Sequence, residues 1–161
     1  MDPNDEERVN GTMTFFLDRP RLGDLLARKG LITPDQLASA LAESQETREL
    51  LGRILIRRGY VFEHDLARTL AEQLELPYVD VQVLGVDRGI ASMLPVEEGR
   101  RAAAIPVAVV KGRIRVVFAD PSDDAARSIV ERFIPPTYEV TVGDLSAIES
   151  AWSRIESSRA T

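Results

Sequence analysis

Leucines at helical spacing organise the first half of the chain, and short β-branched runs organise much of the second. Residues 21–44, RLGDLLARKGLITPDQLASALAES, align without a gap on residues 50–73, LLGRILIRRGYVFEHDLARTLAEQ, at an offset of 29. Leu22 matches Leu51, Gly23 matches Gly52, Leu26 matches Leu55, Gly30 matches Gly59, Leu37 matches Leu66 and Leu41 matches Leu70. Ala42 and Glu43 recur as Ala71 and Glu72, and five residues, 45–49, separate the two 24-residue units. A repeat of this kind is one supersecondary element made twice.

Within a unit, Leu22, Leu25 and Leu26 follow the i, i+3, i+4 rule of a helix face. Gly30 stands where that helix needs a left-handed closing residue. Leu31 and Ile32 cross in an extended segment, Thr33 is a good N-cap with Pro34 at the first helical position, and Leu37 and Leu41 continue the apolar stripe. In the second unit Phe62 and Glu63 replace Thr33 and Pro34, so that cap is weaker. The unit reads as helix, tight turn, helix. Gly23 and Gly52 sit inside helices, where glycine costs about 1 kcal/mol against alanine. They serve either close helix packing or the approach of a flat ligand to the start of each helix. The leucines carry the same two readings, core stripe or apolar ligand face.

Beyond Gln73 the period changes. Leu76-Pro77 ends the helix and 78–83 alternates as a short strand. Residues 87–94 and 96–101 read as short helices, and 105–110 and 114–119 as strands of a hairpin turning at Lys111-Gly112-Arg113. Asp120-Pro121-Ser122 breaks the strand ahead of a helix over about 123–133, with Ala125, Ile129 and Phe133 along one face. Pro135-Pro136 ends it, 138–142 is another strand, and Asp144 starts a last helix carrying Leu145, Ile148, Ala151, Trp152 and Ile155. The expected fold class is α+β: an N-terminal helical subdomain of two tandem helix-turn-helix-like repeats (19–75), then a small α/β subdomain (76–157) with a three- to four-stranded sheet covered by helices. Residues 1–18, acidic and without clear period before Phe15-Phe16-Leu17, are expected to be a flexible arm.

Composition narrows the chemistry. The chain of 161 residues is 44% apolar and 29% charged, enough to bury a core. Zero cysteines and a single histidine, His64, remove disulfides, thiolate catalysis and Cys- or His-based metal centres. His64 opens a helix and reads as an exposed turn residue. Asp120, Asp123 and Asp124 could be drawn as a carboxylate metal site, but a strand-to-helix turn calls for caps and first-turn acids in any case. Neither GxxxxGK[ST] nor GxGxxG is present. No enzyme, cofactor or metal is expected. The net charge of -6 disfavours a sequence-blind grip on nucleic acid. Only residues 21–73 are neutral, with eight charges of each sign, and seven of the eight cations there are arginines, which either stand on solvated helix faces or suit phosphate or a guanine edge. Without an 18-residue apolar run or a signal-peptide pattern, the protein reads as cytoplasmic, with no membrane insertion.

The pattern RLGxxL, glycine, two aliphatics, then LxxxLxxQ, repeated after five residues and followed later by Phe118-Ala119-Asp120-Pro121, resembles the tandem motif of MshEN domains. These are N-terminal domains of bacterial type II secretion and type IV pilus assembly ATPases, also found fused to other proteins. The resemblance covers about residues 20–155. It implies binding of cyclic di-GMP, a pseudo-symmetric dinucleotide, by two pseudo-symmetric units. The implied site takes Arg21, Leu22, Gly23, Asp24, Leu25, Leu26, Gly30, Leu37, Leu41 and Ser44 from the first unit. The second supplies Leu50, Leu51, Gly52, Arg53, Ile54, Leu55, Gly59, Leu66, Leu70 and Gln73, and Asp120 follows from the later segment. By resemblance Arg21 reads guanine O6 and N7, Gln73 supplies an amide, and Asp120 lies near the guanine Watson-Crick edge.

The chain departs from the pattern twice: Ser44 stands where glutamine is expected, beside Gln45, and Leu50 where arginine is expected. Loss of one charged bidentate contact is worth about 1 to 3 kcal/mol. Arg48 and Arg53 are the nearby substitutes. Two further functions stand beside the receptor: a nucleotide-free docking domain joining a secretion or pilus motor to its platform, and, remotely, a DNA-binding adaptor. The helices at 35–43 and 64–72 offer Gln36, Ser39 and Arg68 among several carboxylates, a poor recognition surface for DNA. The expected partners are cyclic di-GMP and a protein of a secretion or pilus machine or a fused effector domain.

Overall fold

The computed structural model describes residues 22–159, so the expected arm at 1–18 and Arg21 lie outside the described residues. The chain divides into two compact units at Phe62/Glu63. The division falls between the two helices of the second repeat.

The first unit contains α1 (Leu22–Arg28), α2 (Pro34–Thr47) and α3 (Leu51–Arg57). Gly30 and Gly59 both adopt φ of 73°. At the end of α1 the Leu31 amide donates to Leu26 O at 2.9 Å and the Gly30 amide to Ala27 O at 3.0 Å. Tyr60 and Gly59 repeat this on Leu55 and Ile56 at 2.9 and 3.0 Å, so both repeats stop their first helix with the same glycine-dependent double bond. Thr33 and Gln36 cap α2 reciprocally: the Gln36 amide donates to Thr33 Oγ1 at 3.1 Å, and the Thr33 amide to Gln36 Oε1 at 3.0 Å. At the far end of α2, Arg48 takes the left-handed conformation at φ 61° without being glycine. Leu26, Ile54 and Leu55 are fully buried, with Ile32 and Ala40.

The second unit contains α4 (Glu63–Leu74), α5 (Val81–Leu84), α6 (Arg88–Ala91), α7 (Val96–Ala102), β1 (Ala104–Val110), β2 (Arg113–Phe118), α8 (Asp124–Glu131), β3 (Glu139–Val142) and α9 (Leu145–Arg159). The sheet order is β1-β2-β3. β1 and β2 pair antiparallel, with Val110 opposite Arg113, around the two positive-φ residues Lys111 and Gly112. β2 and β3 pair parallel, so the chain crosses over through α8 between them. The α+β class is as expected, with a mixed sheet of three strands among the described residues. The core gathers Phe118, Ile105, Ile148 and Trp152, and the indole Nε1 donates to Ala104 O at 2.9 Å. Gly99 on α7 lies so close to the indole that an added Cβ would overlap its ring.

Two expected elements are corrected. Residues 78–83 are not a strand: only Tyr78 bridges Val142, and Asp80 then accepts from the Gln82 and Val83 amides at 3.0 and 3.2 Å, turning the chain into α5. The buried face of α8 is Ala126 and Val130, followed by Ile134, while Ala125 and Phe133 are exposed. Asp123 is the N-cap, accepting from the Ala125 amide at 3.0 Å, and this sets the helical phase one residue later than the expected face. No described helix is long and apolar enough to cross a membrane.

The left-handed positions give an opposed pair of expectations. Gly30→Ala or Gly59→Ala lowers the unfolding free energy by about 1 to 2 kcal/mol, and Arg48→Gly raises it by up to about 1 kcal/mol. Urea unfolding followed by circular dichroism measures both signs.

Candidate functional site

Burial separates the implied site residues. Leu26, Ile54, Leu55, Leu66 and Leu70 are core side chains. Leu22, Leu25, Leu37, Ser44, Leu50, Leu51, Gly52 and Gln73 are partly exposed, and Asp24, Gly30, Arg53 and Gly59 are exposed. Leu41, expected to continue the stripe, is 42% exposed because Ala40 occupies the inward position of α2. Arg21 lies outside the described residues.

The glycine question has an answer at position 23. Gly23 is buried, and a Cβ there would sit 2.5 Å from Leu37 Cδ1 and 3.4 Å from Leu51 Cδ2. One leucine comes from the second helix of the first repeat and the other from the first helix of the second repeat. Gly23 is therefore a packing glycine on which the two repeats meet within the first unit.

Charge fixes the same pairing. Arg57 reaches Glu43 Oε1 and Glu49 Oε2, both at 2.9 Å, and Arg58 Nε lies 2.8 Å from Glu43 Oε2. Arg58 also donates to Ser39 Oγ at 2.7 Å and stacks over Tyr60 at 5.8 Å. The hydrogen bond from Arg57, with the charges of both arginines, holds the Glu43 carboxyl below its ordinary range against the opposing effect of desolvation. Arg57 is raised by its bonds to Glu49 and Glu43. These two arginines are occupied in joining α2 to the end of α3. Arg48 and Arg53 are exposed and make no ion pair with any described residue. Ser44 does not stand idle in the glutamine position: its hydroxyl donates to Glu49 O at 2.8 Å and closes the α2–α3 connection.

In the second unit, Asp120 accepts from the Ser122 amide at 3.0 Å and from the Ser122 hydroxyl, while Asp124 pairs with Arg127. With Asp123 as N-cap, the acidic cluster serves the turn, and no group of residues able to hold a metal ion occurs among the described residues. His64 is exposed, as expected, yet it belongs to a cluster that the sequence does not announce. Tyr78 donates to Asp144 Oδ1 at 3.1 Å, and His64 Nδ1 lies 3.0 Å from the Tyr78 hydroxyl and 3.3 Å from Asp144 Oδ2. Arg68 stands over the Tyr78 ring at 5.3 Å. The cluster ties α4 to the start of α9 across 66 to 80 residues of sequence, a distance no local motif encodes.

The described residues thus combine two helix–turn–helix repeats with a helix-covered mixed sheet of three strands. The MshEN domain family model matches residues 74–161, and the chain belongs to this family. A solved structure of MshE with cdg is similar at 30% identity and a TM-score of 0.72, covering 85% of this chain and 99% of that one. The N-terminal domain of XpsE is similar at 29% identity and a TM-score of 0.70, covering 83% and 92%. A second crystal form of that domain is 31% identical with a TM-score of 0.57, covering 81% and 90%. No curated protein matches the chain.

Buried Tyr138 and half-buried Tyr78 give a pH expectation. Burial, and then the Asp144 charge, pushes the Tyr78 hydroxyl up to about 12, and burial with Glu131 does the same for Tyr138. An acid raised in the folded state stabilises the fold while protonated. That stability is complete below the unfolded value of about 10 and is lost as pH rises toward 12. Absorbance at the phenolate band should show Tyr78 and Tyr138 titrating late, with the urea midpoint falling over the same window. Titration of Tyr78 and Tyr138 at the free-tyrosine value would contradict it.

Proposed function

We propose that the chain is a cyclic di-GMP receptor module of the MshEN type, signalling nucleotide occupancy to a secretion or pilus machine, or to a fused effector domain, in the bacterial cytoplasm. The observation that carries this reading is the in-register duplication of the 24-residue unit. Similarity to MshE solved with cdg, read as this dinucleotide, supports it. A twofold-like ligand is matched by a duplicated binding element, each copy offering half-exposed leucines to a base or ribose face and an arginine fork to guanine. In this reading residues 19–75 supply the repeated half-sites and residues 76–157 form the α+β subdomain that adds Asp120. Arg21 serves the first half-site. Arg53 lies three residues beyond Leu50, on the same side of α3, and serves the second; like Arg48 it makes no ion pair with a described residue. Gln73 and Asp120 supply the remaining polar contacts. The module binds and does not catalyse.

A second reading, docking without nucleotide, is favoured by one observation: the Ser44 hydroxyl is engaged with Glu49 O and offers the ligand no amide. Calorimetric titration of the protein with cyclic di-GMP separates the two. The receptor reading expects saturable heat, a loss of about ten- to a hundredfold in affinity for Arg21→Ala and Arg53→Ala, and a gain of about tenfold for Leu50→Arg. No heat for the wild type or for Leu50→Arg would leave docking alone.

A further inference from the structure

In the second unit, α5, α6 and α9 enclose a cleft of about 210 Å³. Its apolar lining includes Val81, Val86 and Ile155, and its polar groups are Gln82, Arg88 and Arg154. Most arginines of this unit are already engaged. Arg100 pairs with Glu156, Arg101 and Arg132 with Glu98, Arg115 with Glu139 and Arg127 with Asp124, while Arg113 donates to the Thr137 and Tyr138 carbonyls. Arg88 and Arg154 make no ion pair or side-chain hydrogen bond with any described residue, although the chain is net acidic. The carboxylate nearest to Arg88 in sequence, Asp87, is engaged with the Gly89 and Ile90 amides at 2.9 and 3.3 Å. A neighbouring, larger cleft is lined by Arg115, whose charge Glu139 already neutralises at 2.8 Å.

We propose that the Arg88–Arg154 cleft binds a phosphate monoester with an apolar substituent. Arg88 and Arg154 line the cleft from separate helices, and a phosphate dianion offers the charge and the oxygen acceptors that guanidinium groups bind. Gln82 adds an amide, and the valine and isoleucine lining takes the substituent. The cleft exceeds a bare phosphate but falls short of the roughly 300 to 1,000 Å³ of sites that enclose a drug-sized ligand, so it does not engulf a dinucleotide. None of the cleft's residues is among those proposed to read the nucleotide, and the site does not rest on that proposal.

Amide and arginine side-chain NMR signals of the full chain, titrated at constant ionic strength with inorganic phosphate and with phenyl phosphate, test it. Both ligands should shift Gln82, Gly85, Arg88 and Arg154, with phenyl phosphate several-fold tighter. Arg88→Gln and Arg154→Gln should each weaken binding about tenfold, with thermal unfolding unchanged. No shift at about 10 mM ligand, a concentration well above a millimolar dissociation constant, would overturn the site. Shifts that survive both substitutions, or that fall elsewhere, would do the same. Equal affinity for the two phosphates would overturn the ligand class.

Discussion

The absence of a side chain at Gly23 is the constraint on which the first unit depends. Leu37 and Leu51 lie over that position from opposite repeats, and a Cβ there would meet Leu37 at 2.5 Å. A 24-residue element that stops its first helix with glycine leaves leucines partly exposed when it stands alone. Duplication, with a small residue at the seam, lets each copy cover the other.

Ion pairs reinforce this seam and divide the arginines into two groups. Arg57 and Arg58 hold Glu43 and Glu49, so they orient α2 against the end of α3. Such exposed pairs add little energy each, but a shared carboxylate with two cations fixes geometry. Arg48 and Arg53 are left without partners among the described residues, which is the condition a ligand-reading arginine needs. The same distinction in the second unit sets Arg88 and Arg154 apart from Arg100, Arg115 and Arg127.

Much of the fold was legible because it is written in short-range terms. The glycine stops at 30 and 59, the Thr33-Pro34 start, the Lys111-Gly112 hairpin and the last helix from 145 to 159 all follow from local pattern. What was missed depends on choices between competing local signals. Asp80 caps a helical turn where alternation suggested a strand, and Asp123 sets the phase of α8 so that Ala126 and Val130 face inward. The Tyr78–His64–Asp144 cluster was illegible for another reason: its members come together only through the fold. For the candidate site, sequence identified the framework but could not separate the core leucines 26, 55, 66 and 70 from the half-exposed 22, 25, 37 and 51.

The central claim is that two copies of one element act as the two halves of a single receptor. Backbone NMR during titration with cyclic di-GMP tests it most directly, through the Gly23 and Gly52 amides. The account predicts that both move together along one saturation curve at one ligand per chain. Movement of only one glycine, or two different midpoints, would contradict it.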